Sequence, residues 1–274
     1  NSRGEYRFEL GTVDHRQALQ AALDRLIDPE IGVLESLGEI TAVGHRVVHG
    51  GDKYASAVVI DEQVLADIRS YAHLAPLHNP MHALGIEWCQ EILPDVTHVA
   101  VFDTAFHQTM PPYAYRYALP EWLYEEDGIR RYGFHGPSHQ YVALMAATYL
   151  KKRFSRLKII TCHLGEGASV CAIDHGRSID TSMGLTPLEG LVMVTRSGDI
   201  DPAIVTYLMR KGMSADEIEH LLLRASGMKG LSGLSGDTRE IPEAANAGDP
   251  KAMLAAEAFT YRLRKYIGAY YAAL

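Results

Sequence analysis

Cysteine is scarce in this sequence, and long apolar runs and clusters of basic residues are missing from it. The three cysteines, Cys89, Cys162 and Cys171, include no Cys-x-x-Cys pair, which predicts reduced, mostly buried thiols of a cytoplasmic protein. No apolar stretch approaches the roughly 20 residues that cross a bilayer. Against 26 Lys and Arg stand 34 Asp and Glu, a net charge of -8. Without a basic run, this argues against binding to nucleic acid or to an anionic membrane.

The signatures of several enzyme classes are also absent. The sequence has no Walker A loop and no Rossmann fingerprint, which disfavours P-loop and dinucleotide-binding enzymes. It has no Gly-x-Ser-x-Gly elbow and no His-Glu-x-x-His pair, which disfavours an α/β-hydrolase and a zinc protease. Its chemistry must therefore be sought in other segments.

Short apolar runs alternate with amphipathic ones, which predicts an α/β fold. The run at 97–102 is short and mainly apolar, so we expect a strand buried on both faces. The segment 108–128 is rich in turn residues and is expected to hold a boundary between two lobes. Strands are predicted at 40–48, 97–102, 158–162, 169–174 and 178–180, and helices at 17–27, 62–73, 138–150 and 201–208, with others starting near 79, 214 and 249.

The two ends of the sequence suggest a chain shorter than its parent. Residue 1 is Asn rather than Met. The last predicted helix, which Asp249 caps and Pro250 opens, stops on apolar residues with no glycine or polar last turn. We therefore expect that both termini are truncated.

Two segments of the first half place a charged side chain beside a predicted strand. Arg46 lies in the apolar strand predicted at 40–48, within the segment 44–51, and a guanidinium there suits a carboxylate or a phosphate, although a structural ion pair is the commoner use. Asp103 follows the strand 97–102, at the edge where ligands of α/β sheets collect, although an Asp there can also cap a turn.

Three segments of the second half combine glycines with polar side chains. His135 stands between glycines before a predicted helix, where backbone dipoles favour anions, although a lone His is more often structural. The turn 163–167 has glycines that let N–H groups converge on phosphate, although hairpin bulges look alike. Arg196 lies in the long loop 180–202. Together the five segments suggest charge stabilisation around a phosphoryl group.

The same segments resemble the acetate kinase family over essentially the whole chain. The matching strings are His45 to Gly51, Ala75 to Pro80, Phe102 to His107 and Asp180 to Pro202. The resemblance implies an α/β fold of two RNase H-like lobes, as in sugar kinases, actin and Hsp70, with the active site in the cleft between the lobes. It implies an incomplete N-terminal lobe over residues 1–106 and an incomplete C-terminal lobe over residues 107–274.

The resemblance also implies a role for particular residues. The catalytic residues would be Arg46, Asp103, His135 and Arg196. The carboxylate substrate would be bound by Arg46, Val48, Leu77, His78, Phe134 and Pro187. The nucleotide would be bound by His163, Leu164, Gly165, Glu166 and Gly167 and by Asp237, Thr238 and Arg239. The metal ligands of the family would lie in termini that this chain lacks.

The activity implied by the resemblance is direct in-line phosphoryl transfer between ATP and acetate, with Mg²⁺ or Mn²⁺, in a cytoplasmic homodimer joined through the C-terminal lobe. Two departures stand out, because Glu166 replaces the usual Asn of the phosphate turn and Pro137 replaces the usual Thr beside His135. These departures leave open a fragment that keeps the fold without turnover. The pocket residues do not decide between acetate and a longer acid, so a propionate or other short-chain acid kinase is the second alternative.

Overall fold

The computed structural model describes residues 6–76, 78–235, 237 and 239–274. The chain divides into two compact units, one made of Asn1–Gly50 and Ala57–Phe102, the other of Gly51–Ser56 and Asp103–Leu274. The boundary predicted at 106/107 lies a few residues beyond this division. Asp103 consequently belongs to the second unit, and Arg46 to the first.

A three-stranded sheet forms the centre of the first unit. β1 (Ala42–Val47) pairs in parallel with β3 (Thr97–Phe102), and the short β2 (Val58–Val59) pairs with β3 in antiparallel fashion, in the order β1-β3-β2. A parallel pair needs a crossover between its strands, and α2 (Glu62–Ser70) and α3 (Asn79–Ile92) lie in that crossover. α1 (His15–Leu26) precedes the sheet and starts with a capping box of Asp14 and Gln17.

An antiparallel meander forms the sheet of the second unit, in the order β4 (Lys158–Leu164), β5 (Ala168–Asp174) and β6 (Arg177–Thr181). Every residue of β5 except the last is buried. A core cluster of Phe106, Ala143, Cys171 and Ile173 joins β5 to α6 (Gly136–Tyr149). The remaining helices are α4 (Pro112–Tyr115), α5 (Glu121–Glu125), α7 (Ala203–Arg210), α8 (Ala215–Arg224), α9 (Gly227–Ser232), α10 (Glu240–Asn246) and α11 (Pro250–Ala273).

Two expectations about burial were wrong. In β3, Thr97 is exposed and Val99 and Val101 are only partly buried, so burial alternates along the strand. An apolar run does not show by itself how well each face of a sheet is covered, which explains this error. The thiols are not mostly buried either, since Cys171 is buried, Cys89 is intermediate and Cys162 is exposed.

No helix in the described part of the chain is long and apolar enough to span a bilayer.

Gly268 offers a test of helix packing, because it lies inside the 24-residue α11 and a Cβ added there would meet no atom within 4 Å. Glycine in a helix interior destabilises by roughly 0.5–1 kcal/mol relative to alanine. We therefore expect Gly268→Ala to raise the Tm in thermal unfolding. Gly190→Ala is the matched control and is expected to lower the Tm. The φ of Gly190 is 111°, and the added Cβ would lie 2.6 Å from the Ser182 carbonyl oxygen. A lower Tm for Gly268→Ala would contradict this account of α11.

Candidate functional site

The glycine turn between β4 and β5 faces a guanidinium and an imidazole. The turn closes the hairpin through a hydrogen bond from the Gly165 N–H to the Gly167 carbonyl, 3.2 Å long. A Cβ added at Gly167 would lie 3.4 Å from Arg196 Nη1, 3.4 Å from His135 Cε1 and 3.5 Å from His135 Nε2. The absence of this Cβ leaves a small space that two nitrogen-bearing side chains line. The structure thus brings together Gly167, His135 and Arg196, all of which lie in the second unit.

Arg196 is held by the loop that follows β6 and is not neutralised there. Its Nη1 donates to the Pro187 carbonyl over 3.0 Å, and no ion pair joins it to a carboxylate among the described residues. Burial lowers the pKa of Arg196, the charge of Arg224 lowers it further, and the charge of Glu166 opposes both. Its Nε and Nη2 donate to no protein group in the described ranges. The guanidinium is therefore a cation that can accept an anionic ligand.

His135 has a backbone conformation that few residues other than glycine adopt. It is the N-cap of α6 with φ 60° and ψ 20°, and such strain in a non-glycine residue is found mainly where function requires it. The next residue fixes the turn, since the Gly136 N–H donates to the Asp103 carbonyl over 2.9 Å. The ring stacks on His163 at 4.0 Å between centroids, and His163 Nδ1 lies 2.8 Å from Ser138 Oγ.

His107 holds the segment that precedes His135. A carbonyl oxygen only accepts, so His107 Nε2 carries a proton and donates to the Phe134 carbonyl over 2.9 Å. Burial lowers the pKa of His107 to about 4, so the ring is neutral at pH 7. Its Nδ1 therefore accepts from Ser178 Oγ, 2.9 Å away. The buried Phe134 is fixed by this bond to its main chain.

The buried neutral His107 predicts an acid-sensitive fold. A folded-state pKa of about 4 against 6.5 for the model residue means that the unfolded chain binds the proton first, so stability falls as pH drops from about 6.5 towards 4. That difference corresponds to about 3 kcal/mol. We expect His107→Gln to reduce the fall in Tm across this pH range, while the exposed His175→Gln leaves the profile of the wild type. Parallel profiles for wild type and His107→Gln would contradict the prediction.

The loop that carries Pro187 and Arg196 is anchored near its start by Arg131. This arginine donates from Nη1 to the carbonyls of Thr181, Ser182 and Met183 and pairs through Nη2 with Glu189 over 2.5 Å. Because a cation that satisfies several carbonyls fixes the course of a chain without regular secondary structure, Arg131 and Glu189 hold the loop in place.

Asp199 and α11 anchor the far end of the same loop. Asp199 accepts from the Gly190 N–H over 2.7 Å and from the Tyr266 hydroxyl over 2.7 Å. Arg262 of α11 donates to the carbonyl of Gly190 over 3.2 Å. The long helix thus carries side chains that stabilise the loop around Arg196.

The predicted residues of the first unit lie at the end of β1 and the start of α3. Arg46 is exposed on β1 and lines a cavity of about 490 Å³ with His45 and His82. Val48 is buried, and its N–H donates to His82 Nδ1 over 3.2 Å. His78 is the N-cap of α3. Leu77 lies outside the described residues.

The second predicted nucleotide segment forms a local ion pair. Arg239 Nη2 lies 2.9 Å from Asp237 Oδ2, and this pairing lowers the pKa of the exposed Asp237 to about 2. Among the described residues, the hydrogen bonds of the two side chains join Asp237 and Arg239 to each other, and none reaches the turn 163–167. Thr238 lies outside the described residues. Across the ranges that are described, no group of three His, Cys, Asp or Glu side chains could hold a metal ion.

The glycine turn faces an unneutralised guanidinium and an imidazole, an arrangement that is suited to binding phosphate oxygens. The fold and this site together define an α/β protein with a candidate phosphate site. The family model described as "Acetokinase family" matches residues 2–274. The chain is 55% identical over 268 residues to the acetate kinase of Acetivibrio thermocellus, covering 97% of this chain and 67% of that protein. The chain belongs to the acetokinase family.

Solved structures agree with this assignment. The acetate kinase of Porphyromonas gingivalis matches with a TM-score of 0.90 and 47% identity, over 95% of this chain and 65% of that one. A propionate kinase from Francisella tularensis matches with a TM-score of 0.89 and 45% identity, over 95% and 66%. The predicted α/β fold of the acetate kinase type is confirmed. The chain spans about two thirds of the length of these relatives.

Sequence reasoning missed the side chains that surround His135. His139, Ser169 and Thr161 are buried and lie within a few residues of His135 or of the turn 163–167, but no role was predicted for any of them. The signal available was the repeated pairing of His with Ser or Thr in these two segments, which is typical of hydrogen-bonded imidazoles.

Proposed function

We propose that this protein is an acetate kinase, which transfers the γ-phosphoryl group of ATP to a carboxylate oxygen of acetate and releases ADP and acetyl phosphate. The new bond joins an acetate oxygen to the γ-phosphorus, and the bond from that phosphorus to the ADP oxygen breaks. The observation that carries the proposal is the space at Gly167, lined by Arg196 Nη1 and His135. Membership of the acetokinase family supports it.

Charge stabilisation is the main contribution of this site to the reaction. Phosphoryl transfer spreads charge over the oxygens of the migrating group, and fixed donors stabilise that charge. Arg196 supplies a guanidinium with donors that the protein leaves unused, and the His135 ring supplies Nε2 on the same space. No covalent enzyme intermediate is needed, because both donors act on a group that passes directly between two substrates.

The remaining assignments follow the resemblance. Arg46 binds the carboxylate, and Asp103 of the second unit is the essential acidic residue of the site. Roles in binding the acetate are proposed for Val48, Leu77, His78, Phe134 and Pro187. The turn His163 to Gly167 binds the nucleotide phosphates, and Asp237, Thr238 and Arg239 contribute to the nucleotide site.

ATP is proposed to enter as its Mg²⁺ complex, with Mn²⁺ as a substitute. Mg²⁺ is commonly held by substrate phosphates and one or two carboxylates rather than by a cage of protein ligands. The exposed Glu166 stands on the phosphate turn and would supply such a carboxylate.

The departure at Pro137 is compatible with activity. Pro137 lies in the first turn of α6, where a backbone N–H has no partner within the helix and proline is well tolerated. The substitution therefore removes a hydroxyl without disturbing the helix that presents His135. This favours an active enzyme over a fragment that keeps only the fold.

The assignment also includes a cytoplasmic homodimer. Tyr261 and Tyr271 of α11 are 62% and 82% exposed, and such apolar surface on a helix supports a covered face. Light scattering of the purified protein tests the dimer, and a monomer at all concentrations would remove it.

The enzyme assay compares three acids that differ by one methylene each, because a propionate kinase is among the solved relatives and one methylene changes binding by only ~1–3 kcal/mol. The protein, expressed from its complete reading frame, is incubated with MgATP and acetate, propionate or butyrate, and the acyl phosphate is trapped with hydroxylamine. We expect acetate to give the highest kcat/KM and butyrate the lowest. A higher kcat/KM for propionate would assign the alternative substrate. No acyl phosphate with any acid would overturn the proposed function.

A further inference from the structure

Four buried or half-buried side chains form a continuous line of hydrogen bonds that ends at His135. Thr161 Oγ1 lies 2.8 Å from His139 Nδ1, His139 Nε2 lies 2.8 Å from Ser169 Oγ, and the same Ser169 Oγ lies 2.8 Å from His135 Nδ1. Thr161, His139 and Ser169 are 4%, 1% and 0% exposed. The line therefore runs mainly through a buried part of the protein.

The Thr161 hydroxyl determines in which direction the hydrogen bonds of the line are donated. Thr161 Oγ1 has His139 Nδ1 as its hydrogen-bond partner, and the described residues offer its proton no other acceptor. Leaving a buried O–H without an acceptor costs roughly 1–3 kcal/mol, so Thr161 donates to His139 Nδ1. Burial lowers the pKa of His139 to about 2, so this ring is neutral and has a single N–H. That proton is then on Nε2.

The hydrogen bonds from His139 to Ser169 and from Ser169 to His135 are donated in the same direction along the line. His139 Nε2–H donates to Ser169 Oγ, which leaves the single proton of Ser169 for His135 Nδ1. An imidazole whose Nδ1 accepts a hydrogen bond carries its own proton on Nε2. The His135 Nε2 atom is the one that lies 3.5 Å from the position of a Cβ at Gly167, on the same space as Arg196 Nη1.

We propose that Thr161, His139 and Ser169 are positioning residues that hold His135 in the tautomer with its proton on Nε2, so that this ring donates a hydrogen bond into the space at Gly167. The catalytic meaning of this arrangement rests on the proposed phosphoryl transfer. The opposite tautomer would direct a lone pair at phosphate oxygens and repel them. It would also require all three hydrogen bonds to reverse and would leave the Thr161 proton without an acceptor.

The tautomer is measured directly by NMR. In long-range ¹H–¹⁵N spectra of protein labelled with ¹⁵N-histidine, the two ring nitrogens of a neutral imidazole have well-separated shifts according to which is protonated. We expect His135 of the wild type to show a protonated Nε2 and an unprotonated Nδ1. A protonated Nδ1 in the neutral wild-type ring would overturn the proposal, whether or not the protein has kinase activity.

Variants at both ends of the line test its transmission. Ser169→Ala removes the link to His135, and Thr161→Val removes the hydroxyl that sets the direction while keeping the shape. Both are expected to shift His135 towards a mixture of tautomers, whereas Thr161→Ser keeps the wild-type spectrum. The control is Ser178→Ala, which removes an equally buried hydroxyl bonded to His107 rather than to His135. An unchanged His135 tautomer in a folded Thr161→Val protein would overturn the directional line.

Kinetics give a second and separable measurement. Ser169→Ala and Thr161→Val are expected to lower kcat about tenfold, as for the loss of one hydrogen bond, with the KM for MgATP unchanged. Thr161→Ser is expected to retain the wild-type kcat. If the variants shift the His135 tautomer as expected but the protein makes no acyl phosphate, the line of hydrogen bonds is supported and the proposed function is rejected. A lower kcat with the wild-type tautomer retained would reject the line and leave the proposed function standing.

Discussion

Arg196→Lys is expected to lower kcat by about 10²–10³-fold, the usual effect of removing a donor aimed at developing charge, while the KM for MgATP changes little. The variant keeps the positive charge but loses the planar fork. Arg196 uses Nη1 for the Pro187 carbonyl and has Nε and Nη2 left for a ligand. A lysine ammonium has no second nitrogen and cannot make both contacts in one geometry. Steady-state kinetics under saturating MgATP and acetate measure the effect.

Arg224→Lys is the matched control for this prediction. Arg224 lies exposed at the end of α8, close enough for its charge to lower the pKa of Arg196, but the structure gives it no place at the glycine turn. The same chemical change there is expected to leave kcat within about twofold of the wild type. Equal kcat values for wild type and Arg196→Lys, with chemistry rate-limiting, would remove Arg196 from the catalytic residues.

Local sequence signals predicted much of the fold. The predicted helix near 214 is α8, which starts with a capping box of Ser214 and Glu217, and Asp249 caps α11 with Pro250 in its first turn, as expected. These signals succeed because a cap requires only residues within one turn. The strand at 97–102 was also located at its observed bounds, because an apolar run between turn residues needs no knowledge of its neighbours.

Features that depend on distant residues could not be predicted in this way. The segment Gly51–Ser56 belongs to the second unit although both flanking segments belong to the first, and no local pattern indicates this. The hydrogen bond between Ser169 and His135 joins residues 34 positions apart. The direction of its proton depends on the burial of Thr161, which is a property of the folded chain.

The candidate site also contains residues that the sequence predicted and residues that it did not. The resemblance named His135, Arg196 and Gly167 by position, and the structure places them around one space. It did not name Arg131 or Asp199, which hold the loop of Arg196. Residues that act through another residue carry no motif of their own, because many different anchors can fix the same loop.

Gly167→Ala is expected to abolish most of the activity while leaving the fold intact, with kcat/KM lower by at least about 10²-fold. The added methyl would lie 3.4 Å from both Arg196 Nη1 and His135 Cε1, an ordinary contact distance that the folded protein accommodates. It would fill the space from which phosphate oxygens must approach those nitrogens to about 2.7–3.1 Å. The Tm, measured by thermal unfolding, is therefore expected to stay close to that of the wild type.

Two further glycine variants separate occupation of this space from a general effect of alanine. At Gly165, in the same turn, the added Cβ would lie 3.4 Å from the Gly167 carbonyl oxygen and 3.7 Å from His163 Nε2, away from Arg196, so a smaller loss of about tenfold or less is expected. At Gly268 of α11 the same substitution meets no atom and should leave kcat/KM unchanged. We therefore expect kcat/KM to be highest for Gly268→Ala, lower for Gly165→Ala and lowest for Gly167→Ala, because the added methyl group lies progressively nearer to Arg196 and His135. A folded Gly167→Ala protein with the kcat/KM of the wild type would show that phosphate binds elsewhere, because no oxygen could reach both nitrogens past that methyl group.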